Sequence, residues 1–165
     1  MNYITDPKEK VELIKSRFSE LIGKEITHYE LPQIWHESVN EWDDWMDLPL
    51  FLTFGDRTLS ISWYKFDDLA IEEGRVIPFS LGGYTVRWLC EGVEILEKVL
   101  GKTLTSVSLG RGEMSLDGRD IEIWTRVLLS LNNGSTLDIF NALDENGIEL
   151  FSEKPKGESI KCTNK

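Results

Sequence analysis

Tryptophan and acidic side chains are interspersed over residues 35–47, and this composition is the one in the chain best suited to recognising another molecule. Tryptophan is enriched among the residues that dominate binding energy in protein interfaces, and clustered carboxylates accelerate association with a basic partner. We therefore predict a partner-binding surface here, with a later acidic pair adding long-range attraction. Its predicted residues are Trp42, Asp43, Asp44, Trp45, Asp47, Asp67 and Asp68. The alternative interpretation is that the tryptophans pack on a sheet and the carboxylates are merely solvated, as most charged runs are.

Metal binding and catalysis are less well supported by the same residues. His36 with the three aspartates at 43, 44 and 47 could offer nitrogen and oxygen donors, but the spacing matches no known metal site. Catalysis needs a positioned base and a group that stabilises the electrophile, and neither His28 nor His36 lies near a nucleophile motif. The sequence therefore predicts no catalytic residue, no metal and no cofactor, and it favours a binding protein over an enzyme.

The net charge of −11 narrows the classes of partner. DNA, RNA and anionic lipid are bound by clustered Lys and Arg, so we expect neither nucleic acid nor a membrane as the partner. Residues 30–73 hold eleven acidic side chains against only Arg57 and Lys65. Most of the negative charge is thus concentrated in the region that carries the predicted surface.

Three features predict a cytoplasmic location. The opening residues lack the apolar core of a secretory signal, and no apolar run approaches the ~20 residues that cross a bilayer. Cys90 and Cys162 have no CxxC spacing and are better explained as free thiols than as a disulfide framework.

A repeat with an offset of 78 residues supplies the elements that must position this surface. Between positions 20 and 61, eight residues recur unchanged at that offset, whereas chance would give roughly two or three. They are Gly23, Lys24, Thr27, Leu31, Leu50, Thr58, Leu59 and Ile61. Such a repeat predicts two copies of one structural unit.

Each copy is predicted to contain a helix followed by an antiparallel meander. The helices are expected at about 7–22, capped by Asp6, and at about 86–100. In the first hairpin a turn at Gly55 places Leu52 opposite Leu59 and Leu50 opposite Ile61. In the second, the three-residue loop 132–134 absorbs a one-residue slip, which places Leu129 opposite Leu137 and Val127 opposite Ile139.

The predicted fold is α+β, with two tandem helix and antiparallel β-meander units, internal pseudo-symmetry, and both helices packed on one side of the β layer. Residues 1–151 form one domain, with repeat unit one at about 7–64, a connector of turns and a hinge at 65–85, and repeat unit two at about 86–151. Residues 37–47 match neither a helix nor a loop decisively. The polar tail 152–165 is predicted to be disordered.

Three functional hypotheses follow. The first is a small acidic protein that neutralises or regulates a basic protein partner, for which a bacterial toxin-immunity protein is the concrete example by analogy. The alternative is a domain that binds a small molecule in a pocket between the two units, lined by Trp35, Trp63, Trp88 or Trp124. The third is an enzyme of unrecognised type. Exposed edge strands also leave room for a homodimer.

Overall fold

Antiparallel β-strands dominate the fold, which is α+β in the computed structural model and is described here over residues 1–163. The helical elements are α1 (Pro7–Phe18), a 3-10 turn (Ser19–Leu21) and α2 (Glu94–Glu97). The strands are β1 (Ile26–His36), β2 (Glu41–Asp44), β3 (Leu50–Phe54), β4 (Arg57–Tyr64), β5 (Asp68–Glu73), β6 (Val86–Leu89), β7 (Leu104–Gly112), β8 (Ser115–Leu116), β9 (Arg119–Asp120), β10 (Ile123–Leu131), β11 (Thr136–Asn141), β12 (Asn146–Phe151) and β13 (Ser159–Lys161).

Helix α1 begins where its capping signal predicts. The Asp6 carboxylate accepts hydrogen bonds from the backbone N–H groups of Lys8 and Glu9 at 2.9 and 3.0 Å, which satisfies two donors of the open first turn. The helix buries Ile14 and Phe18 against the sheets. It ends at Phe18 and continues only as the 3-10 turn, so the regular helix is one turn shorter than predicted.

The first sheet has the strand order β2-β1-β3-β4-β5, and β6 also pairs with β1. Strand β1 changes partners along its length, because residues 26–30 pair with β3 while residues 31–36 pair with β6 and β2. In the β3–β4 hairpin, Leu50 lies opposite Ile61 and Leu52 opposite Leu59, which confirms the predicted register.

The second sheet has the order β12-β11-β10-β7-β13. Leu129 lies opposite Leu137 and Val127 opposite Ile139, so the predicted slip of one residue is confirmed. Gly134 takes the left-handed conformation (φ +87°) that the three-residue loop requires. The order β7-β10-β11-β12 repeats the order β1-β3-β4-β5 of the first sheet.

The two sheets are joined where the repeated Gly-Lys segments meet. The N–H of Gly23 donates to the carbonyl of Leu104 and that of Leu104 to Lys24, at 2.8 and 2.9 Å. The N–H of Gly101 donates to Ile26 and that of Ile26 to Lys102, at the same two distances. Adding or subtracting 78 in the residue numbers converts the first two bonds into the last two.

One continuous apolar core lies between the sheets and under α1. The buried indole of Trp63 in β4 donates its N–H to the carbonyl of Ile139 in β11 at 2.9 Å. The buried Asn146 side chain accepts from the Trp63 backbone N–H and donates to the carbonyls of Leu48 and Ile61. Both contacts tie the two sheets together.

The predicted second helix at 86–100 is wrong. Val86–Leu89 form strand β6 on the edge of β1, and α2 is a single turn over Glu94–Glu97. Backbone hydrogen bonds to β1 replace those that a helix would make, and Gly92 at φ +79° redirects the chain. The fold therefore has one full helix, which contacts β5 and β7, instead of two helices that cover one side of the β layer.

The tail also differs from its prediction of disorder. Ser159–Lys161 form β13 on the free edge of β7, and the Cys162 N–H donates to the carbonyl of Val107 at 2.9 Å. Unpaired backbone groups at the edge of β7 give this polar segment partners that composition does not reveal. The last two residues lie outside the described range. Across residues 1–163, no helix combines the length and apolarity needed to cross a membrane.

Candidate functional site

The acidic and tryptophan-bearing stretch contains a short edge strand. After a turn in which Asn40 takes a left-handed conformation (φ 56°), residues 41–44 form β2 and pair, among residues 1–163, only with β1. The sequence of residues 37–47 fits a short helix and an ordered loop equally well, and β2 is neither. Pairing places Trp42 directly opposite Trp35. The strand therefore presents one free edge with acidic side chains along it.

Trp42 is partly exposed and held between neighbours. Its ring centroid lies 5.3 Å from that of Trp35, at an angle of 59°. The guanidinium of Arg87, from β6, lies 4.2 Å from the Trp42 centroid, in the geometry of a cation–π contact. The indole is thus oriented by its own chain while part of its surface remains available.

Trp45 forms a second aromatic group with residues from the connector. Its ring lies 5.7 Å from Phe79 and 5.0 Å from Tyr84, and its indole N–H donates to Asp47 at 3.1 Å. Phe79 is 43% exposed and Tyr84 is 56% exposed. Sequence reasoning missed both, because it assigned residues 65–85 only a connecting role. Their aromatic character beside Gly82-Gly83 was the available signal.

None of the three aspartates of this stretch forms a direct ion pair with Lys or Arg within the described chain. Asp43 lies 3.2 Å from His36, Asp44 accepts a hydrogen bond from the Gln33 amide at 2.8 Å, and Asp47 accepts from Trp45. Other acids of the same region are paired, since Glu30, Glu72 and Glu73 form ion pairs with Arg75, Arg17 and Arg57. Most acids of residues 30–73 that form no ion pair with Lys or Arg therefore lie in or beside β2.

These side chains border one open groove of about 810 Å³, which we term the β2 groove. It is lined by Gln33, Ile34, His36, Trp42, Asp43, Asp44, Trp45, Asp47 and Tyr84. Five of the seven predicted site residues are thus brought together by β2 and the turn that follows it. Within the described residues, no three His, Cys, Asp or Glu side chains converge in the manner of a metal site.

Asp67 and Asp68, the other two predicted residues, do not line the β2 groove. They lie where the β4–β5 turn enters β5, and both make contacts within the chain. Asp67 is 3.8 Å from the ammonium of Lys10, and Asp68 accepts a hydrogen bond from the Thr5 hydroxyl at 2.7 Å. Lys10 partly balances the charge of Asp67, and neither carboxylate lines the groove, so the effect of this pair on a partner bound there is at most long-range.

The tryptophans that were expected to line one pocket between the units lie in separate surroundings in the structure. Trp63 and Trp124 are buried in the common core, and their indole N–H groups bond to Ile139 and Glu122. Trp88 stacks on Phe51 at 6.1 Å. Comparison of the chain with protein-family models, with curated proteins and with solved structures finds no match.

Proposed function

We propose that this chain is a binding protein that neutralises or regulates a basic protein partner through the β2 groove. The observation that carries the proposal is the juxtaposition of two partly exposed tryptophans with three carboxylates that form no ion pair with Lys or Arg among the described residues. Indoles supply large and rigid contact areas, while uncompensated carboxylates raise the encounter rate with a cationic surface. A bacterial toxin-immunity protein is the concrete example of such an inhibitor.

The chemistry of the groove favours Arg and Lys side chains as the groups that enter it. Arg87 already lies over Trp42, which shows that a guanidinium fits against this ring. An arginine of the partner could stack on Trp45 or Tyr84 and at the same time bond to Asp47 or Asp44. A second copy of this chain is a poorer occupant, because two β2 edges would face each other with like charges.

We infer that the chain arose by internal duplication and that only the first unit acquired the acidic groove. Support comes from the four seam hydrogen bonds, which exchange under the 78-residue offset, and from the common order of four strands in both sheets. The region of unit two that follows β7 forms the small β8–β9 hairpin instead.

The free thiols of Cys90 and Cys162 fit a protein that works in the reducing cytoplasm, so we propose that the partner is met there.

The experiment begins with affinity capture from the native cell and identification of the bound protein by mass spectrometry. Association of the purified partner is then measured by stopped-flow or surface plasmon resonance at low and high salt. We expect a basic partner whose association rate falls at least about tenfold with added salt, because exposed charges are screened. An acidic partner, or a rate that salt leaves unchanged, contradicts the proposal.

Variants then locate the site on that partner. Trp42→Ala and Trp45→Ala should each weaken binding by about 2 kcal/mol, roughly thirtyfold, as for buried aromatic anchors. Asp44→Asn should lower mainly the association rate. Asp56→Asn removes an exposed acid from the β3–β4 turn, outside the groove, and is the matched control. Equal losses in the control and in the groove variants would place the binding site elsewhere.

A further inference from the structure

A second concave site lies on the outer face of the second sheet, away from the β2 groove. Strands β12 and β13 occupy opposite edges of that sheet, so residues 152–158, which we term the strap, must cross one of its faces. Alternate residues of β10 and β11 point into the common core, so Arg126 and Asp138 point to the other face. The strap crosses this outer face and borders, with the sheet, a partly open cavity of about 470 Å³.

The floor of the strap cavity contains an incompletely satisfied carboxylate. Asp138 is only 2% exposed, and its Oδ2 accepts from the Arg126 guanidinium at 2.8 Å. Its Oδ1 is buried and has no hydrogen-bond partner among the described residues. A buried carboxylate oxygen without a donor is strongly destabilising, so such an atom calls for a partner. Asp138 lines the cavity, from which a bound group can supply that donor.

The charged side chains around the cavity indicate whether a cation or an anion would bind there. Glu149 lies directly across from Asp138 on β12, so a second carboxylate, which makes no ion pair of its own among the described residues, lies next to the Asp138–Arg126 pair. Arg111 is held by Asp120 and Glu158 and is not free to bind an anion. Acidic side chains outnumber basic ones in the lining, five to three. The cavity therefore favours a cation over a phosphate or a carboxylate.

The apolar side chains that border the cavity indicate that a cation bound there would also have an apolar part. Phe66 and Leu143 border the cavity although they are 66% and 78% exposed, and Phe140 lies beside them. Gly147 leaves room for the ring of Phe140, since an added Cβ at this position would come within 2.5 Å of the ring. Gly112 likewise accommodates Thr125, whose hydroxyl would be 2.0 Å from an added Cβ. Both glycines thus make room for a side chain that lines the cavity.

We propose that the strap cavity binds a small organic cation, a primary ammonium attached to an aromatic or branched apolar body. The ammonium donates to Asp138 Oδ1 and to the Glu149 carboxylate, while the body covers Phe66, Phe140 and Leu143. This site differs from the pocket that the sequence suggested, because it lies on the second sheet and not between the units. It is also independent of the β2 groove and of any protein partner.

Benzylamine is the probe, because it joins an ammonium to an aromatic ring in eight non-hydrogen atoms. Its binding to the full chain is followed by two-dimensional ¹H–¹⁵N NMR, with benzyl alcohol and benzoate as the neutral and anionic counterparts. We expect saturable shifts at the amides of Asp138, Phe140 and Glu149 with a Kd on the order of 1 mM, as expected for so small a ligand. Benzyl alcohol and benzoate should bind at least about tenfold more weakly, since they lack the charge-assisted donor.

Three variants test the assignment. Glu149→Gln alters an exposed side chain and should weaken benzylamine binding about fivefold, while Asp138→Asn should abolish it. Glu145→Gln removes an exposed acid from the neighbouring turn without touching the cavity and should leave the Kd unchanged. If Asp138→Asn does not fold, Glu149→Gln alone decides. Equal binding of the three probes, shifts confined to the β2 groove, or an unchanged Kd in Glu149→Gln overturns the proposal.

Discussion

Single residues carry functions in this fold that their positions in the sequence do not suggest. Lys10 lies on helix α1 among other charged residues, yet it is fully buried. Its ammonium donates to the Trp124 carbonyl at 2.9 Å, lies 3.8 Å from Asp67 and sits 5.4 Å from the Trp63 ring centroid. Burial lowers the pKa of Lys10, and the nearby Asp67 opposes that shift only in part. One side chain thus joins the helix to both sheets.

Replacing Lys10 should change the pH dependence of stability. Because the unfolded chain binds more protons than the folded one between the lowered pKa of Lys10 and its ordinary value of 10.5, the free energy of unfolding should rise with pH in that window. Lys10→Met should remove this rise and cost no more than about 2 kcal/mol, since it also removes a buried charge. Lys10→Ala should cost about 2–4 kcal/mol through the cavity that it leaves.

Urea unfolding of wild type and both variants across that pH range measures the difference. Subtracting one curve from another isolates Lys10 from other groups that titrate there, such as Tyr29. Identical pH slopes in wild type and Lys10→Met would show that Lys10 keeps its ordinary pKa in the folded protein.

At the level of elements, side-chain contacts hold the segment where the predicted second helix is missing. The buried Tyr29 hydroxyl in β1 donates to the Glu97 carboxylate at 2.6 Å and accepts from the Val93 N–H at 3.1 Å. Glu97 also accepts from the Gly92 N–H at 2.8 Å. Burial, then this hydrogen bond to Glu97, raises the pKa of Tyr29 to about 12. The short turn α2 is thus fixed by β1 instead of by its own length.

Removing the Tyr29 hydroxyl should loosen this turn. Tyr29→Phe should destabilise the protein by about 1–3 kcal/mol, because the Val93 N–H loses its acceptor while the ring still packs. Urea unfolding at neutral pH measures the loss, and hydrogen exchange at residues 92–97 should quicken more than elsewhere. Tyr84→Phe, at an exposed ring, is the control and should change stability by less than about 0.5 kcal/mol. Equal effects of the two substitutions would show that the contact does not hold α2.

The seam between the repeated segments offers a paired test of internal symmetry. Gly23 and Gly101 take φ values of +88° and +78°, and a Cβ at either position would meet nothing within 4 Å. Gly23→Ala and Gly101→Ala should therefore each cost about 1–2 kcal/mol from backbone strain alone. If the seam is symmetric, thermal or urea unfolding should give the same loss for both within about 0.5 kcal/mol. A difference well beyond that would argue against equivalent positions.

For the whole molecule, stability depends on polar links between the sheets as well as on the shared core. Asn146 bonds to the Trp63 backbone and to the carbonyls of Leu48 and Ile61, and it is 2% exposed. These groups are far from Asn146 in the sequence, so its side chain closes the fold where local contacts cannot. We expect the two sheets to unfold together.

Asn146→Ala should lower the free energy of unfolding by about 3–5 kcal/mol, since it leaves several buried backbone groups without partners. Fluorescence of the buried tryptophans and far-ultraviolet circular dichroism should report one coincident transition during urea unfolding. Asn2→Ala, at an exposed position, is the matched control and should have little effect. Two separated transitions in the wild type would contradict the shared core.

Short-range chemistry was enough to predict the features of the fold that depend on a few neighbouring residues. The Asp6 cap, the Gly55 turn and the loop around Gly134 determine where α1 begins and how two hairpins are registered, because each restricts backbone angles or hydrogen bonds locally. The clustering of five site residues could also be predicted, since they are nearly contiguous in the chain.

Only the tertiary structure decided the features that rest on distant partners. Residues 86–89 became a strand because β1 offered them an unpaired edge, and residues 159–161 paired with β7 for the same reason. Burial of Lys10 and the approach of Phe79 and Tyr84 to Trp45 likewise join side chains from separate elements. The free energy of each contact depends on a partner dozens of residues away, and local periodicity carries no information about that partner.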